Sequence, residues 1–259
     1  MAKLLALDLD GTTFGVGTSI PEINLLRMRQ ARQAGHKICF VSGRKNFNQL
    51  EELFTICDYF ILNNGGTAYQ MPQQKLLFQA LVRREDLLEM ISCCNQLPDT
   101  ALHLIGEGYW GVNCRTSELP KLEKRYSNRA QIYKSAADLP FETVDGFLVS
   151  GDCAGVRVYI DCKGLKLSYV MSEPDLMDVM PAGVNKWSGI CKVAKLAGIA
   201  LEDIIAAGNY FNDLDMITGA PLGVAVQNSP DEVKAQADFV TSRTNLEGAV
   251  AEIIERFLL

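Results

Sequence analysis

Two carboxylates flank a leucine directly after an apolar run, in the segment Asp8-Leu9-Asp10-Gly11-Thr12. A carboxylate with a pKa of about 4 is ionised at neutral pH, so Asp8 can attack an electrophile without a base to activate it. Attack on phosphorus would give an aspartyl phosphate. Asp10 can protonate the leaving oxygen in that step and then take a proton from the hydrolytic water. The segment predicts this chemistry, although a solvated Asp-Gly-Thr turn fits the same residues.

A hydroxyl, a lysine and a second polar segment follow along the chain as Ser42, Lys186 and Asn209 with Asp213. Phosphoryl transfer depends mainly on positioning and on neutralising charge on the equatorial oxygens. Lys186 can do this as a point charge, and Ser42 can donate a hydrogen bond. Each also has a structural interpretation, since Ser42 suits a helix cap and Lys186 suits a helix surface.

Alternating strands and helices are predicted to position these groups. Four apolar runs that precede them predict buried strands: Lys3–Leu9, Lys37–Val41, Tyr59–Leu62 and Asp203–Ala207. Helices are predicted between and after them, at Pro21–Ala34, Asn46–Phe54, Lys186–Leu196, Pro230–Ala237 and Leu246–Leu258. This alternation predicts right-handed crossovers and a parallel sheet. Because ligands bind at the carboxyl ends of strands in such sheets, the distant polar groups are expected to converge on one crevice.

The pattern changes to a mixed α+β unit in the middle of the chain. It predicts helices at Glu85–Gln96 and Lys121–Tyr126, a hairpin of Ala101–Ile105 with Tyr109–Asn113, and strands at Gly146–Val149 and Val156–Ile160. The fold class is therefore α/β. We predict a Rossmann-like core of residues 1–81 and 181–259, interrupted by an inserted domain of residues 82–180.

Composition excludes several classes of function. The chain has 259 residues and a net charge of −6, which argues against a nucleic-acid backbone as the main partner. No apolar run reaches the roughly 18 residues needed to cross a bilayer. A charged Asp8 comes too early for a signal peptide, so a cytoplasmic protein with no membrane partner is expected. Nothing in the sequence indicates an oligomeric state.

The cysteines and histidines point away from zinc and triad chemistry. Eight cysteines occur without a Cys-x-x-Cys pair, which suits reduced thiols that fill a core. Only two histidines are present, so the chemistry is expected to use carboxylates, amides, Lys and Arg. The stretch Gly106–Gly111 matches Gly-x-Gly-x-x-Gly, but a dinucleotide site needs a helix there and a hairpin turn is predicted instead.

Four segments together resemble the motifs of the haloacid dehalogenase superfamily. Asp8–Thr12 resembles the first motif and Phe40-Val-Ser-Gly-Arg44 the second. Gly183-Val-Asn-Lys-Trp187 resembles the third, and Gly208-Asn-Tyr-Phe-Asn-Asp213 the fourth. The insertion falls where Cof-like phosphatases carry a class IIB α/β cap. Each motif alone is weak, but four in this order with that insertion are highly specific.

The resemblance implies a mobile cap and Mg²⁺-dependent hydrolysis of small phosphomonoesters, such as sugar or other metabolite phosphates. It implies that phosphate is bound by Gly11, Ser42, Gly43, Lys186 and Asn212. It implies that Mg²⁺ is held by Asp8, the backbone carbonyl of Asp10, Asn209 and Asp213. Arg44 and the Asn64-Gly65-Gly66 turn are interpreted as structural, and the inserted residues Tyr109, Trp110 and Asp152 either touch substrate or pack within the cap.

One residue departs from the family pattern. The fourth motif usually reads Gly-Asp-x-x-Asn-Asp, whereas this chain has Gly208-Asn209. An amide carbonyl can still ligate Mg²⁺, but it brings one negative charge fewer, so a weaker metal site is expected. Two alternatives to a phosphatase stay open: a phosphosugar mutase on the same scaffold, and a catalytically weakened sensor of phosphorylated metabolites.

Overall fold

The computed structural model describes residues 2–106, 108–125, 128–140 and 142–259. The chain divides into two compact units. The first unit contains the residues up to Gln79 together with Asn185–Leu259, and the second unit contains Ala80–Val184.

Strands and helices are numbered in chain order over the described residues. Strands β1 to β14 are Leu4–Asp8, Lys37–Val41, Tyr59–Leu62, Thr67–Gln70, Lys75–Gln79, Ala101–Gly106, Tyr109–Val112, Gln131–Ile132, Phe147–Ser150, Leu167–Glu173, Leu176–Pro181, Ile204–Gly208, Leu222–Ala225 and Phe239–Val240. Helices α1 to α8 are Glu22–Gln33, Arg84–Gln96, Leu119–Arg125, Cys153–Lys163, Lys186–Ala197, Leu214–Gly219, Asp231–Lys234 and Ala249–Phe257.

The first unit is built on an eight-stranded sheet in the order β14-β13-β12-β1-β2-β3-β4-β5. The strands from β14 to β3 pair in parallel, as the sequence predicted. The last two strands, β4 and β5, form an antiparallel edge hairpin that was not predicted. Strand β5, at the sheet edge, has no fully buried residue, whereas β4 buries Thr67 and Ala68, so the hairpin lacks the continuous apolar run that marks a central strand.

Alternate residues of β1 supply the two faces of the sheet. Leu5 and Leu7 pack with residues of α1 and α8, whereas Leu4 and Ala6 pack with residues of α5 and α6. All five residues of β1 are buried because helices cover both faces. The strand therefore runs through the middle of the core and delivers Asp8 at its carboxyl end.

The predicted helix over Asn46–Phe54 is wrong in its first half. Residues 46–50 form no helix, and a short 3₁₀ segment follows at Glu51–Thr55. The Asn46 side chain accepts a hydrogen bond from the Asn48 backbone N–H at 3.1 Å, and Gln49 has a φ of 62°. A side chain that bonds to nearby backbone competes with the helix, and a left-handed residue interrupts it.

The second unit has a six-stranded sheet in the order β10-β11-β9-β6-β7-β8. The predicted hairpin is confirmed as the antiparallel pair β6 and β7, and the predicted first helix is confirmed as α2. The β10–β11 hairpin was not predicted. Two residues covered by the sequence predictions, Glu107 in the glycine motif and Tyr126 in the second helix, lie outside the described residues.

The predicted strand at Val156–Ile160 is wrong, because this segment lies inside helix α4. The Asp152 side chain accepts from the Gly155 backbone N–H at 2.9 Å and so caps the start of the helix. Gly164, with a φ of 62°, ends it. Val156 and Ile160 are buried four residues apart on one helical face, so the helical period overrides the alternating pattern.

None of the helices in the described part of the chain has the length and apolar character required to span a bilayer.

Candidate active site

Asp8 ends the central strand of the sheet in the first unit. Strand β1 lies between β2 and β12 and pairs with both in parallel. Ser42 follows β2 directly, and Asn209 follows β12 directly. The carboxyl ends of these three strands meet at one edge of the sheet, so Asp8, Ser42 and Asn209 are neighbours in space.

Lys186 reaches this edge from the first turn of helix α5. The Asn185 side chain accepts from the Ser188 backbone N–H at 2.7 Å, which fixes where the helix begins. Gly65, after β3, packs so closely that an added Cβ would lie 2.0 Å from the Asn185 carbonyl oxygen. Gly65 has a φ of 104°, so any other residue would be strained there as well as crowded.

The buried ammonium of Lys186 bridges two carboxylates. Its Nζ lies 2.6 Å from Asp8 Oδ1 and 2.5 Å from Asp213 Oδ1. The other oxygen of Asp213 accepts from the backbone N–H groups of Asn209 and Tyr210, at 2.8 and 3.0 Å. Both oxygens of Asp213 are therefore engaged with protein donors, and the residue holds Lys186 and the loop in position.

The charges in this cluster do not balance. Burial, followed by repulsion from Asp213, raises the pKa of Asp8 to about 7 against the opposing effect of Lys186. Burial disfavours the charged form of Lys186, but Asp213 and Asp8 outweigh it and raise the pKa of the lysine. One ammonium thus serves two buried carboxylates. A further cation beside Asp8 would relieve the repulsion that raises its pKa.

Asp10 presents its side chain and its backbone to different partners. Its carboxylate, 57% exposed, forms a bidentate ion pair with Arg44, at 2.7 Å from Nη2 and 3.0 Å from Nε. The sequence predicts a structural role for Arg44, whereas the structure pairs it with the predicted acid–base residue. The pairing joins residues that are 34 positions apart, and the signal for it in the sequence is that Arg44 lies two residues after Ser42.

The predicted phosphate-binding residues lie around the same edge. Ser42 is buried, and its Oγ accepts from the Arg44 backbone N–H at 3.2 Å. Gly43 lies against Asn64, since an added Cβ would come within 3.1 Å of either amide atom. Asn212 is half-buried in the short turn Phe211–Asp213, and its contact with phosphate stays a prediction.

Asn64, which the sequence predicts to belong to a simple turn, is a buried polar group. Its side chain is 1% exposed, and neither amide atom has a hydrogen-bond partner among the described residues. Its backbone adopts a φ of 48° two residues after the end of β3, and its side chain lies beside Gly43. An unpaired buried amide is costly, and Asn64 keeps donors and an acceptor beside Gly43 that no described residue uses.

The side-chain amide of Asn209 lies where a ligand of a divalent cation would be. One of its two terminal atoms is 2.9 Å from the Asp10 carbonyl oxygen and 3.3 Å from Asp8 Oδ2. Adjacent oxygens around an octahedral Mg²⁺ with bonds of about 2.1 Å are about 3.0 Å apart. Asp8, the Asp10 carbonyl and Asn209 Oδ1 therefore fit as neighbouring ligands of Mg²⁺.

Gly11 makes room for this arrangement. Its φ is 84°, and an added Cβ would lie 2.5 Å from the Asn209 amide. The described residues contain no cluster of three His, Cys, Asp or Glu side chains suited to a metal ion. A cation at this edge would therefore depend on a backbone carbonyl and an amide as well as on carboxylate.

The three inserted residues that were candidates for substrate contact have structural partners in the second unit. The Trp110 indole N–H donates to His103 Nδ1 at 3.2 Å, and Trp110 is buried. Asp152 caps helix α4. Tyr109 is half-buried and packs against the hydrophobic core of that unit.

The sequence profile of the haloacid dehalogenase-like hydrolases matches residues 5–254. A Bacillus subtilis phosphatase, the 5-amino-6-(5-phospho-D-ribitylamino)uracil phosphatase YcsE, is 27% identical over 99% of this chain and 96% of its own length. The Escherichia coli pyridoxal phosphate phosphatase YbhA is 24% identical, over 99% of both chains.

Solved structures share the fold. A phosphatase of the HAD superfamily from Bacteroides thetaiotaomicron matches with a TM-score of 0.90 at 22% identity, covering 99% of this chain and 95% of that one. A sugar phosphatase of HAD subclass IIB matches with a TM-score of 0.83 at 22% identity, covering 99% of both chains.

Proposed function

The chain belongs to the haloacid dehalogenase-like hydrolase family and is a phosphatase of that superfamily, and from this premise we propose that it hydrolyses small phosphomonoesters with Mg²⁺ through an aspartyl phosphate on Asp8. The observation that carries the proposal is the buried contact between Lys186 Nζ and Asp8 Oδ1 at 2.6 Å. A carboxylate at a strand end beside a fixed cation suits attack on an anionic phosphate.

The first half-reaction begins with attack by Asp8 Oδ1 on phosphorus, since Oδ2 faces Asn209. As the bond from Asp8 to phosphorus forms, the bond from phosphorus to the ester oxygen breaks. Lys186 neutralises charge on the transferring group, while the hydroxyl of Ser42 and the backbone N–H groups of Gly11 and Gly43 donate to its oxygens. Asp10, in its protonated form, gives its proton to the leaving oxygen.

The second half-reaction releases phosphate. Asp10 is now a carboxylate and takes a proton from a water that attacks phosphorus, so the bond to Asp8 breaks and inorganic phosphate leaves. The bidentate ion pair with Arg44 fixes where the Asp10 carboxylate lies at this edge of the sheet. Arg44 is therefore a positioning residue for the acid–base group.

Mg²⁺ would be held by Asp8, the Asp10 carbonyl and Asn209. When bound, it supplies positive charge that offsets the carboxylates and polarises the transferring phosphoryl group. Asp213, expected from the sequence to be a ligand, is instead proposed to hold Lys186 and the loop, because both its oxygens accept from protein donors.

The substrate is proposed to be a small phosphorylated metabolite, such as a sugar phosphate. The similar proteins include phosphatases named for a phosphoribitylamino-uracil and for pyridoxal phosphate. We propose that the inserted domain, predicted as residues 82–180, forms the cap that selects the leaving group and excludes water. We also propose cytoplasmic action without a nucleic-acid or membrane partner.

The test is release of inorganic phosphate from a panel of sugar phosphates, pyridoxal phosphate and nucleotide-like phosphates, with Mg²⁺ and with EDTA. Asp8→Asn should lower turnover by about 10³-fold or more, and acid-quenched parent enzyme should retain labelled phosphate on Asp8. Asp238→Asn is the matched control. The Asp238 carboxylate accepts from the Gly223 N–H at strands β13 and β14, away from the carboxyl end of β1.

Each outcome has a distinct meaning. Undiminished turnover in Asp8→Asn would refute the mechanism. Formation of a sugar bisphosphate without free phosphate would identify a mutase. Tight binding of a phosphorylated metabolite without phosphate release would identify a sensor.

A further inference from the structure

The Asn209 amide can point in two directions, and the two orientations have opposite chemistry. In one, Oδ1 accepts from the Thr12 hydroxyl at 3.0 Å. In the other, Nδ2 takes the same position and lies within hydrogen-bond distance of three acceptors, the Asp10 carbonyl at 2.9 Å, Thr12 Oγ1 at 3.0 Å and Asp8 Oδ2 at 3.3 Å. Its two protons can serve two of them. The shape of the side chain is nearly the same in both, so the neighbours decide between them.

The neighbours favour the donor when no cation is bound. The Asp10 carbonyl can only accept hydrogen bonds, and a carboxylate oxygen such as Asp8 Oδ2 accepts them as well. An amide oxygen placed between them would add a third acceptor to two, whereas an NH₂ group supplies a proton to each. Without that donor the Asp10 carbonyl would lose a partner, which carries a cost in a protein interior.

The neighbours favour the oxygen when a divalent cation is bound. The cation needs oxygen ligands, and the position of the amide atom fits one of them. Rotation by about 180° about the Cβ–Cγ bond exchanges the two atoms without moving the backbone. The backbone of Asn209 is fixed meanwhile by its N–H bond to Asp213 Oδ2 at 2.8 Å.

We propose that Asn209 is an amide switch. Without a cation, its NH₂ group donates hydrogen bonds to Asp8 Oδ2 and the Asp10 carbonyl. When Mg²⁺ binds, the amide rotates and Oδ1 takes the position of the NH₂ group as a ligand. The inference rests on the proposed function only in taking these groups as the ligands of Mg²⁺. An aspartate at this position has no proton to donate at neutral pH. The asparagine therefore stabilises the cation-free protein and weakens binding of the cation, because binding must first break the donor contacts.

Side-chain amide NMR tests the switch directly. The Asn209 NH₂ pair in a ¹H–¹⁵N spectrum is assigned as the pair missing from Asn209→Asp. In EDTA these protons should exchange with solvent more slowly than those of exposed amides, and saturating Mg²⁺ should shift both resonances and remove the protection. Resonances that stay unchanged while Mg²⁺ binds would overturn the proposal, and so would a failure to bind Mg²⁺ by calorimetry.

Stability and calorimetry give a second test that needs no catalysis. Asn209→Asp should lower the melting temperature in EDTA by about 2–4 °C and tighten the Mg²⁺ dissociation constant by about tenfold. Asn228→Asp is the matched control: its amide donates to the Gly11 carbonyl at 2.8 Å in the same turn, and the change adds the same charge. Equal effects of the two substitutions would reduce the switch to a general charge effect and overturn it.

The two tests separate this inference from the proposed function. A protein that shows the amide rotation with Mg²⁺ but releases no phosphate would keep the switch and refute the phosphatase mechanism. A protein that hydrolyses phosphate esters with Mg²⁺ while the Asn209 amide keeps its orientation would do the reverse.

Discussion

Each unit of the molecule buries a cluster of polar side chains, and the two clusters differ in charge. In the first unit, one ammonium, Lys186, is shared by the carboxylates of Asp8 and Asp213. In the second unit, the buried His103 bonds through Nε2 to Ser150 Oγ at 2.8 Å and through Nδ1 to the Trp110 N–H at 3.2 Å. The first cluster is ionic and unbalanced, and the second is neutral and paired.

The partners of His103 fix its protonation. An indole N–H can only donate, so Nδ1 of His103 must be the unprotonated acceptor. In the neutral ring Nε2 then carries the proton and donates a hydrogen bond to Ser150 Oγ. Burial lowers the pKa of His103 to about 4, so the ring is neutral at physiological pH. Its hydrogen bonds are satisfied within the unit, which is the arrangement expected of a structural network.

The comparison separates a polar group that stabilises a fold from one that is kept for chemistry. Neutral, satisfied hydrogen bonds add modest stability. Two buried carboxylates around one cation cost stability, and such strained charge is concentrated at functional sites. A histidine and a lysine look equally ordinary in a sequence, but only the lysine lies between two buried carboxylates, whose excess negative charge favours a further cation.

Replacing the lysine should have the largest effect. Lys186→Met keeps the length of a fully buried side chain but leaves Asp8 and Asp213 facing each other without a cation. In EDTA at neutral pH we expect a loss of about 3–5 kcal/mol in the free energy of unfolding. Phosphate release should fall by about 10³-fold. Urea denaturation and a phosphate assay measure the two effects.

Lys195→Met is the control for that substitution, since Lys195 is exposed in the last turn of the same helix. It should change the free energy of unfolding by less than about 1 kcal/mol. If Lys186→Met were equally mild, the carboxylates would not be a strained pair and the contrast between the two clusters would fail.

The second largest effect is expected from acid, which should lower the free energy of unfolding through His103 in the neutral cluster. The pKa of His103 is lowered from 6.5 to about 4 on folding, so the unfolded chain binds its proton first as the pH falls. The stability from the neutral ring is fully present above pH 6.5 and is lost between there and pH 4, by about 2 kcal/mol at pH 5 and about 3 kcal/mol in all. Urea denaturation at pH 7 and pH 5 measures it.

The difference between the parent and His103→Gln isolates this residue. The glutamine side chain does not titrate, so the free energy of unfolding of the variant should fall less between pH 7 and pH 5 than that of the parent. Parallel pH profiles would show that His103 is not held neutral by the fold.

The sequence predicted the strands that build the ionic site better than the contacts between its side chains. The apolar run of β1 and the Asp8 at its end are visible as letters, and so is the alternation that builds a parallel sheet. The pairing of Arg44 with Asp10 depends on side-chain directions across 34 positions, which no local pattern encodes. The role of the Asp10 carbonyl is hidden too, because a backbone atom has no residue type.

The second unit shows a different limit. The segment Val156–Ile160 alternates in a way that suits a strand, yet it forms part of α4. The capping Asp152 and the terminal Gly164 were present in the sequence and were the stronger signal, because they fix both ends of the helix. The bonds among His103, Ser150 and Trp110 join three strands, so they follow from the register of the sheet rather than from any motif.

The ion pair of Arg44 with the exposed Asp10 carboxylate should have a smaller effect, confined to the rate of phosphate release. Arg44→Lys keeps the charge but loses the bidentate geometry on Asp10. We expect kcat for phosphate release to fall by about tenfold with little change in KM, because Asp10 would be less well positioned. The free energy of unfolding should change by less than about 1 kcal/mol, since the Asp10 carboxylate is largely exposed.

Steady-state kinetics on a substrate identified in the panel would make this measurement. A rise in KM at constant kcat would show that Arg44 contacts the substrate rather than Asp10. That outcome would move Arg44 from the acid–base group to the binding site, and it would leave the buried ionic cluster unaffected.

The smallest effect is expected from a single neutral hydrogen bond in the second unit. The buried Tyr133 hydroxyl donates to the Leu102 carbonyl at 2.9 Å, and Tyr133→Phe removes it without adding charge. The loss should be about 1 kcal/mol. Burial raises the pKa of Tyr133, so the hydroxyl stays neutral and the loss should be the same at pH 7 and pH 5, unlike that of His103.

Tyr159→Phe is the control for this substitution. The exposed hydroxyl of Tyr159 donates to Glu89 Oε2 at 2.7 Å, and its removal should cost less free energy of unfolding. If the buried and exposed substitutions had equal effects on urea denaturation, buried neutral hydrogen bonds would not stabilise this unit, and its contrast with the ionic cluster would rest on charge alone.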